Sequence, residues 1–169
     1  MGKFKGHSLA NTPLPPCQGP KLHPFKCENP SISWGKRLDD DGGDSSPTQG
    51  VVFEVAIESR AYALKVFKFC DPYSTEHYWG PLLGNKIPLQ DILYYTDPFF
   101  AECRAYGRIH DARLKDGNKG ALAVKCHGYL YLSNEDEALL TELGVDLGSD
   151  ISTMNCARRL GEVVVFVQL

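Results

Sequence analysis

The sequence lacks several features that would place it in a specialised class of proteins. Its apolar runs all fall short of the roughly 20 residues that a membrane-spanning helix needs, and no hydrophobic stretch follows the N-terminus as in a secretory signal. Positive charge is not in excess, because 18 Lys and Arg stand against 21 Asp and Glu. The six cysteines include no CxxC pair, the close spacing that zinc sites use. We therefore expect an intracellular soluble protein with free thiols, no metal site, no membrane association and no direct contact with nucleic acid.

The first 50 residues differ in composition from the remainder of the chain. They hold seven of the eleven prolines and few aliphatic residues. Such a segment buries too little apolar surface to offset the entropy that is lost when it becomes ordered. We expect a disordered tail over residues 1–30 and a flexible acidic loop over residues 39–49. Residues 31–169 are expected to form one folded domain, because this length suits a single domain.

Hydrophobic periodicity predicts the main elements of this domain. Apolar residues alternate over 51–57, and residues 62–69 carry apolar side chains on both faces, which indicates two strands of an antiparallel hairpin. Asp97 followed by Pro98 is typical of a helix N-terminus, and the helical spacing continues to about Lys115. Weaker patterns predict a first strand at 31–34, a turn at 58–61 and an insertion at 70–96. They also predict one or two strands over 121–132, bent at Gly128, and a final strand over 162–169. Between these strands, a capping box of Asn134 and Glu137 predicts a short helix that ends before Gly144. Together they predict an α+β fold, a twisted antiparallel sheet with one main helix across it.

A lysine and a glutamate stand out in this order of elements. Lys65 lies in the second of these two strands, and Glu102 lies early in the helix that follows. Protein kinases hold nucleotide phosphates with a strand lysine that pairs with a glutamate of the next helix. Taken singly, each residue is equally compatible with a solvated position on the surface. The ordered set of strand, strand, helix, strand and strand is more specific.

Three parts of the sequence carry a more specific signal. They are residues 52–55 with 62–69, which reads YALKVFKF, residues 97–109, which contain ECRAYGR, and residues 124–130. These parts resemble a fungal kinase-like family named after the Fta2 subunit of the Sim4 kinetochore complex. The resemblance implies a protein-kinase-like N-terminal lobe and a nuclear location at the kinetochore and centromere. It implies other kinetochore subunits as partners. It also implies that Lys65 and Glu102 are a vestigial phosphate-binding lysine and its helix glutamate.

The match to an active kinase is incomplete. In place of the glycine loop G-x-G-x-x-G stands an aspartate-rich stretch that offers Gly42, Gly43 and Gly50 as weak candidates for cofactor binding. Its four aspartates would repel phosphate. The sequence has no DFG and no HRD-type catalytic loop, so it predicts no catalytic residue and an absent large lobe. No cofactor is expected, and ATP is the one that the resemblance leaves open.

These observations favour a non-catalytic, kinase-like scaffold or interaction protein, a truncated pseudokinase whose partners are other proteins. The alternative is the N-terminal fragment of an ATP-dependent protein-kinase-like phosphotransferase, whose catalytic loop would lie outside this chain. A third interpretation is an unstable gene product without a function.

Overall fold

The chain forms five strands and three helices within the residues that the computed structural model describes. Those residues are 19–27, 31–39, 50–68, 87–115, 123–147 and 162–168. In chain order the elements are β1 (Ile32–Arg37), β2 (Gly50–Ile57), β3 (Arg60–Phe67), α1 (Leu89–Thr96), α2 (Pro98–Lys115), β4 (Cys126–Tyr131), α3 (Asn134–Glu142) and β5 (Glu162–Gln168). The predicted α+β class is confirmed.

All five strands belong to one antiparallel sheet with the order β1-β2-β3-β5-β4. The strand that comes last in sequence, β5, lies between β3 and β4. As a result β3 is the centre of the sheet and is hydrogen-bonded to a neighbour on each side. The antiparallel arrangement agrees with the predicted sheet.

The hairpin of β2 and β3 lies where the sequence predicts it, and β2 follows the predicted alternation. Buried residues alternate with half-buried ones along β2, as expected of a strand whose two faces differ in burial. The register ends with Ile57 opposite Arg60, so the tight turn consists of Glu58 and Ser59 alone. Residues 60–61, which the sequence assigns to the turn, already belong to β3.

The three weaker strand predictions correspond to real strands with shifted bounds. β1 begins one residue later than predicted and continues to Arg37. β4 covers 126–131 rather than 121–132, and its pairing with β5 shifts between Cys126 and Gly128, where the sequence predicts a bend. β5 agrees with the predicted final strand.

Helix α2 begins where Asp97 and Pro98 predict and ends at Lys115. The Asp97 carboxylate accepts a hydrogen bond from the N–H of Phe99 at 2.9 Å, which satisfies one of the free N–H groups at the helix start. Phe99 and Cys103 are fully buried against the sheet. This apolar stripe fixes the rotation of the helix about its axis.

The capping box of α3 lies one residue earlier than the sequence predicts. The Ser133 Oγ accepts a hydrogen bond from the Asp136 N–H at 3.1 Å, and the Ser133 N–H donates to Asp136 Oδ2 at 3.3 Å. The predicted pair, Asn134 and Glu137, is therefore wrong. A tertiary contact favours the observed pair, because Trp34 Nε1 of β1 donates to Asp136 Oδ1 at 3.0 Å.

Two apolar cores lie on the two faces of the sheet. Alternation along β3 directs Leu64 and Val66 to one face and Phe67 to the other. The first-face core is Ile32, Val51, Phe53, Val55, Ile57, Tyr62, Leu64, Val66, Leu130, Leu132, Leu140 and Val145, and includes α3. The second-face core is Leu22, Phe67, Phe99, Phe100, Cys103, Tyr129 and Tyr131, and includes α2.

Residues 19–27 differ from the predicted disordered tail because they pack on the sheet and on α2. Leu22 is only 7% exposed, and the Phe25 N–H donates to the Tyr129 carbonyl oxygen at 2.7 Å. The composition of residues 1–30 could not predict this packing, because the burial of Leu22 and Phe25 depends on contacts with residues that are distant in sequence. Several predicted segments lie outside the described residues: 1–18 and 28–30 of the tail, 40–49 of the acidic loop and 70–86 of the insertion.

Candidate functional site

Lys65 lies near the middle of β3, the central strand. Its backbone is paired with Val52 on one side and Val164 on the other. The side chain leaves the sheet on the face of Phe67, and the Lys65 Nζ atom lies 4.7 Å from the centroid of the Phe67 ring. The Lys65 side chain is 23% exposed. A lysine with this much burial needs a charged partner, because desolvating an unpaired ammonium is costly.

Glu102 of α2 supplies that partner. Its Oε1 atom accepts a hydrogen bond from Lys65 Nζ, and the two side chains form an ion pair. Phe99 and Cys103 anchor the surrounding turns in the second-face core, and this places Glu102 beside β3. The structure thus brings together the two residues that the sequence selects from separate elements.

Tyr106 and Cys126 interact electrostatically with Glu102 and were missed by the sequence analysis. Both pack against the second-face core. Burial raises the pKa of Tyr106, and the negative charge of Glu102 raises it further. Burial raises the pKa of Cys126 to about 12, and Glu102 adds a smaller effect in the same direction. Both groups are therefore protonated at neutral pH, and the Cys126 side chain is a thiol there.

The signals for these two residues differ. Tyr106 follows Glu102 by four positions, so helical spacing alone places both on one face of α2. Cys126 has no comparable local signal, because its position near α2 depends on where β4 lies in the sheet. Sequence reasoning could have found the tyrosine but not the cysteine.

Gly50 is the one predicted phosphate-contact glycine that lies within the described residues. It opens β2 opposite Phe67, and a Cβ atom at this position would collide with the carbonyl oxygen of Val66. The close approach of β2 and β3 therefore requires a glycine here. Gly42 and Gly43 lie outside the described residues, and contact of any of the three with phosphate stays a prediction.

An ammonium held by a carboxylate can do two things at this place. It can fix α2 against the sheet, and its remaining N–H groups can bind an anion such as a phosphate. No group of three or more His, Cys, Asp or Glu within the described ranges is arranged to hold a metal ion. Among the helices in the described part of the chain, none combines the length and the hydropathy needed to cross a bilayer.

Comparison with known proteins gives one finding. A family model described as Kinetochore Sim4 complex subunit FTA2 matches residues 10–162 of the 169-residue chain. The matched range contains Lys65 and Glu102, the strands β1 to β4 and the three helices described above. No curated protein and no solved structure matches the chain.

Proposed function

The chain belongs to the family of the Kinetochore Sim4 complex subunit FTA2, and on that premise we propose that it is a protein-binding subunit of a kinetochore complex in the nucleus. The observation that carries the proposal is the extent of the family match, which runs from residue 10 to residue 162. The family name describes a subunit of a complex, so the partners proposed here are other kinetochore proteins.

Within that role, we propose that the protein is a non-catalytic, kinase-like scaffold. Two features support a kinase-like lobe: an antiparallel sheet whose third strand carries Lys65, and a following helix whose Glu102 pairs with that lysine. The sequence contains neither a DFG nor an HRD-type loop. The ion pair is therefore assigned a structural role, which is to hold α2 on the sheet.

Localisation of the full chain in cells tests the kinetochore role. We expect a fluorescently tagged chain, expressed at its natural level in its own organism, to form foci that overlap a centromere marker. Purification of the tagged chain should enrich other kinetochore subunits. Leu64→Asp is the control, because it places a carboxylate at a fully buried position and should abolish both signals. A diffuse distribution of the wild-type chain with no enriched kinetochore protein would contradict the proposal.

A second candidate function is favoured by the Lys65–Glu102 pair itself. The chain would then be the N-terminal part of an ATP-dependent phosphotransferase, with Lys65 on the phosphates and Gly42, Gly43 and Gly50 in a reduced phosphate loop. Titration of the full chain with ATP, with and without Mg²⁺, separates the two candidates. The scaffold predicts no saturable binding by the folded protein. Saturable binding that Lys65→Ala abolishes, with the circular dichroism spectrum unchanged, would favour the phosphotransferase.

A further inference from the structure

Residues 20–25, here called the strap, run between α2 and the outer edge of β4. The Leu22 N–H donates a hydrogen bond to the Cys103 carbonyl oxygen of α2 at 3.0 Å. On the other side, the Phe25 N–H donates to the Tyr129 carbonyl oxygen at 2.7 Å, and the Tyr129 N–H donates to the His23 carbonyl oxygen at 3.1 Å. The strap therefore bonds through its main chain to both walls of a groove and covers part of an edge strand.

Two glycines on separate elements make room for the main chain of the strap. A Cβ atom at Gly107 of α2 would lie 2.6 Å from the carbonyl oxygen of Pro20. A Cβ atom at Gly128 of β4 would lie 2.7 Å from the backbone nitrogen of Phe25. Either distance is too short for a real contact with backbone, so a methyl group on either wall would displace the strap. The groove is thus shaped for a peptide backbone along its length.

The strap is also anchored by two side chains that point to opposite sides of the sheet. Leu22 is buried in the second-face core. Phe25 packs against the first-face core, with its ring 5.5 Å from that of Tyr62 in an edge-to-face contact. His23 and Pro24, which lie between the two anchors, are exposed. Recognition is therefore concentrated on an aliphatic and an aromatic residue three positions apart.

We propose that this groove is a docking site for an extended peptide segment of a protein partner, and that the strap is its exchangeable occupant. The partner segment carries the same pattern as the strap, which is an aliphatic residue and, three positions later, an aromatic residue. Main-chain hydrogen bonds of this kind are available to any extended segment, and the anchors supply specificity. Displacement of the strap would break three main-chain hydrogen bonds, which the partner segment would form again, and would expose one buried side chain, Leu22.

Binding of the strap sequence in trans tests this proposal. The probe is a fluorescent peptide of residues 19–27 with Ser in place of Cys27, and the readout is fluorescence anisotropy. The protein is the full chain carrying Leu22→Asp, which places a charge in the apolar anchor site and releases the strap. We expect saturable binding of the probe. Wild-type protein should need at least about tenfold more probe, because its own strap competes at high effective concentration.

Matched controls distinguish docking in the groove from adhesion elsewhere. A peptide carrying Leu22→Asp should not bind, and adding Gly107→Ala to the Leu22→Asp protein should abolish binding of the normal probe, because the added Cβ atom would lie 2.6 Å from the strap backbone. The proposal is overturned if the folded Leu22→Asp protein does not bind the probe. It is also overturned if the Leu22→Asp peptide binds as well as the normal probe, or if the double-variant protein binds the probe as well as the Leu22→Asp protein. It is also overturned if wild-type protein forms a dimer that Leu22→Asp dissolves, since a second copy would then supply the strap.

A second design covers the case in which Leu22→Asp prevents folding. A protease recognition site is inserted within residues 28–30, and the otherwise wild-type chain is folded before it is cut. The cut strap should exchange with an excess of the fluorescent probe, which then elutes with the protein in gel filtration. Absence of exchange over a day would show a permanent structural segment and would overturn the proposal.

Discussion

His127 shows how a single buried nitrogen can make stability depend on pH. Its Nε2 atom is buried without a hydrogen-bond partner among the described residues, and its ring lies 5.7 Å from that of Tyr62. Burial lowers the pKa of His127, and the positive charge of Lys125 lowers it further. The folded state therefore binds fewer protons than the unfolded state near the ordinary histidine pKa of about 6.5.

We expect the free energy of unfolding to decrease as the pH is lowered from 7.5 to 5.5, because protons favour the state that binds more of them. His127→Phe should flatten this dependence while leaving stability at pH 7.5 similar or higher. Urea denaturation at a series of pH values measures both effects. His110→Gln, at an exposed position on α2, is the control and should keep the wild-type slope. Equal slopes for wild type and His127→Phe would contradict the assignment.

The turn between β2 and β3 is a second site where one residue determines stability. Glu58 and Ser59 have φ values of 49° and 65°, the left-handed region that a two-residue type I′ hairpin turn demands. A non-glycine side chain is strained there. We expect Ser59→Gly to raise the free energy of unfolding by about 0.5–1 kcal/mol, measured as a higher urea midpoint. Ser59→Val should lower it, and a destabilising Ser59→Gly would contradict the turn geometry.

At the scale of elements, the N-terminus of α3 offers a direct choice between two caps. Sequence spacing selects Asn134, whereas the hydrogen bonds select Ser133. We expect Ser133→Ala to cost about 1 kcal/mol of stability, because the Asp136 N–H loses its acceptor. Asn134→Ala, at an exposed position, should change stability by less than about 0.5 kcal/mol. Thermal denaturation of the two variants measures which residue is the cap. A larger loss of stability for Asn134→Ala than for Ser133→Ala would support the cap that the sequence predicts.

Elements with a strong local signal could be predicted from the sequence. The β2–β3 hairpin follows from period-two alternation in β2 and from the apolar residues on both faces of β3, and α2 follows from Asp97, Pro98 and an apolar stripe. The position of β5 between β3 and β4 could not be predicted, because strand order depends on pairing that no local pattern encodes. The packed strap was missed for the same reason, since Leu22 and Phe25 gain burial only from α2 and the sheet.

In the candidate site, too, the sequence predicts some residues and misses others. Lys65 and Glu102 were selected by the order of the predicted elements and by the amino-acid sequence of the segments around them. The hydrogen bond between them joins residues 37 positions apart, and only the packing of α2 on the sheet creates it. Cys126 enters the site through the sheet order, which explains why it was missed.

At the scale of the whole molecule, α2 is held to the sheet by three kinds of contact that meet within two turns. Phe99 and Cys103 lie in the second-face core, Glu102 bonds Lys65, and the strap bonds the Cys103 carbonyl oxygen. The ion pair is a polar link between a side chain of the helix and a side chain of the central strand. Its contribution to folding can therefore be measured separately from the apolar packing.

A double-mutant cycle with Lys65→Met and Glu102→Gln makes that measurement. We expect each single variant to lose about 1–3 kcal/mol, because each leaves a largely buried polar group without its partner. The double variant should lose less than the sum, with a coupling on the order of 1–2 kcal/mol. The exposed Asp111–Lys115 pair at the end of the same helix is the reference cycle and should give under about 0.5 kcal/mol. If the Lys65–Glu102 coupling is no larger than this reference, the pair does not hold α2 on the sheet, and the structural role proposed for it is wrong.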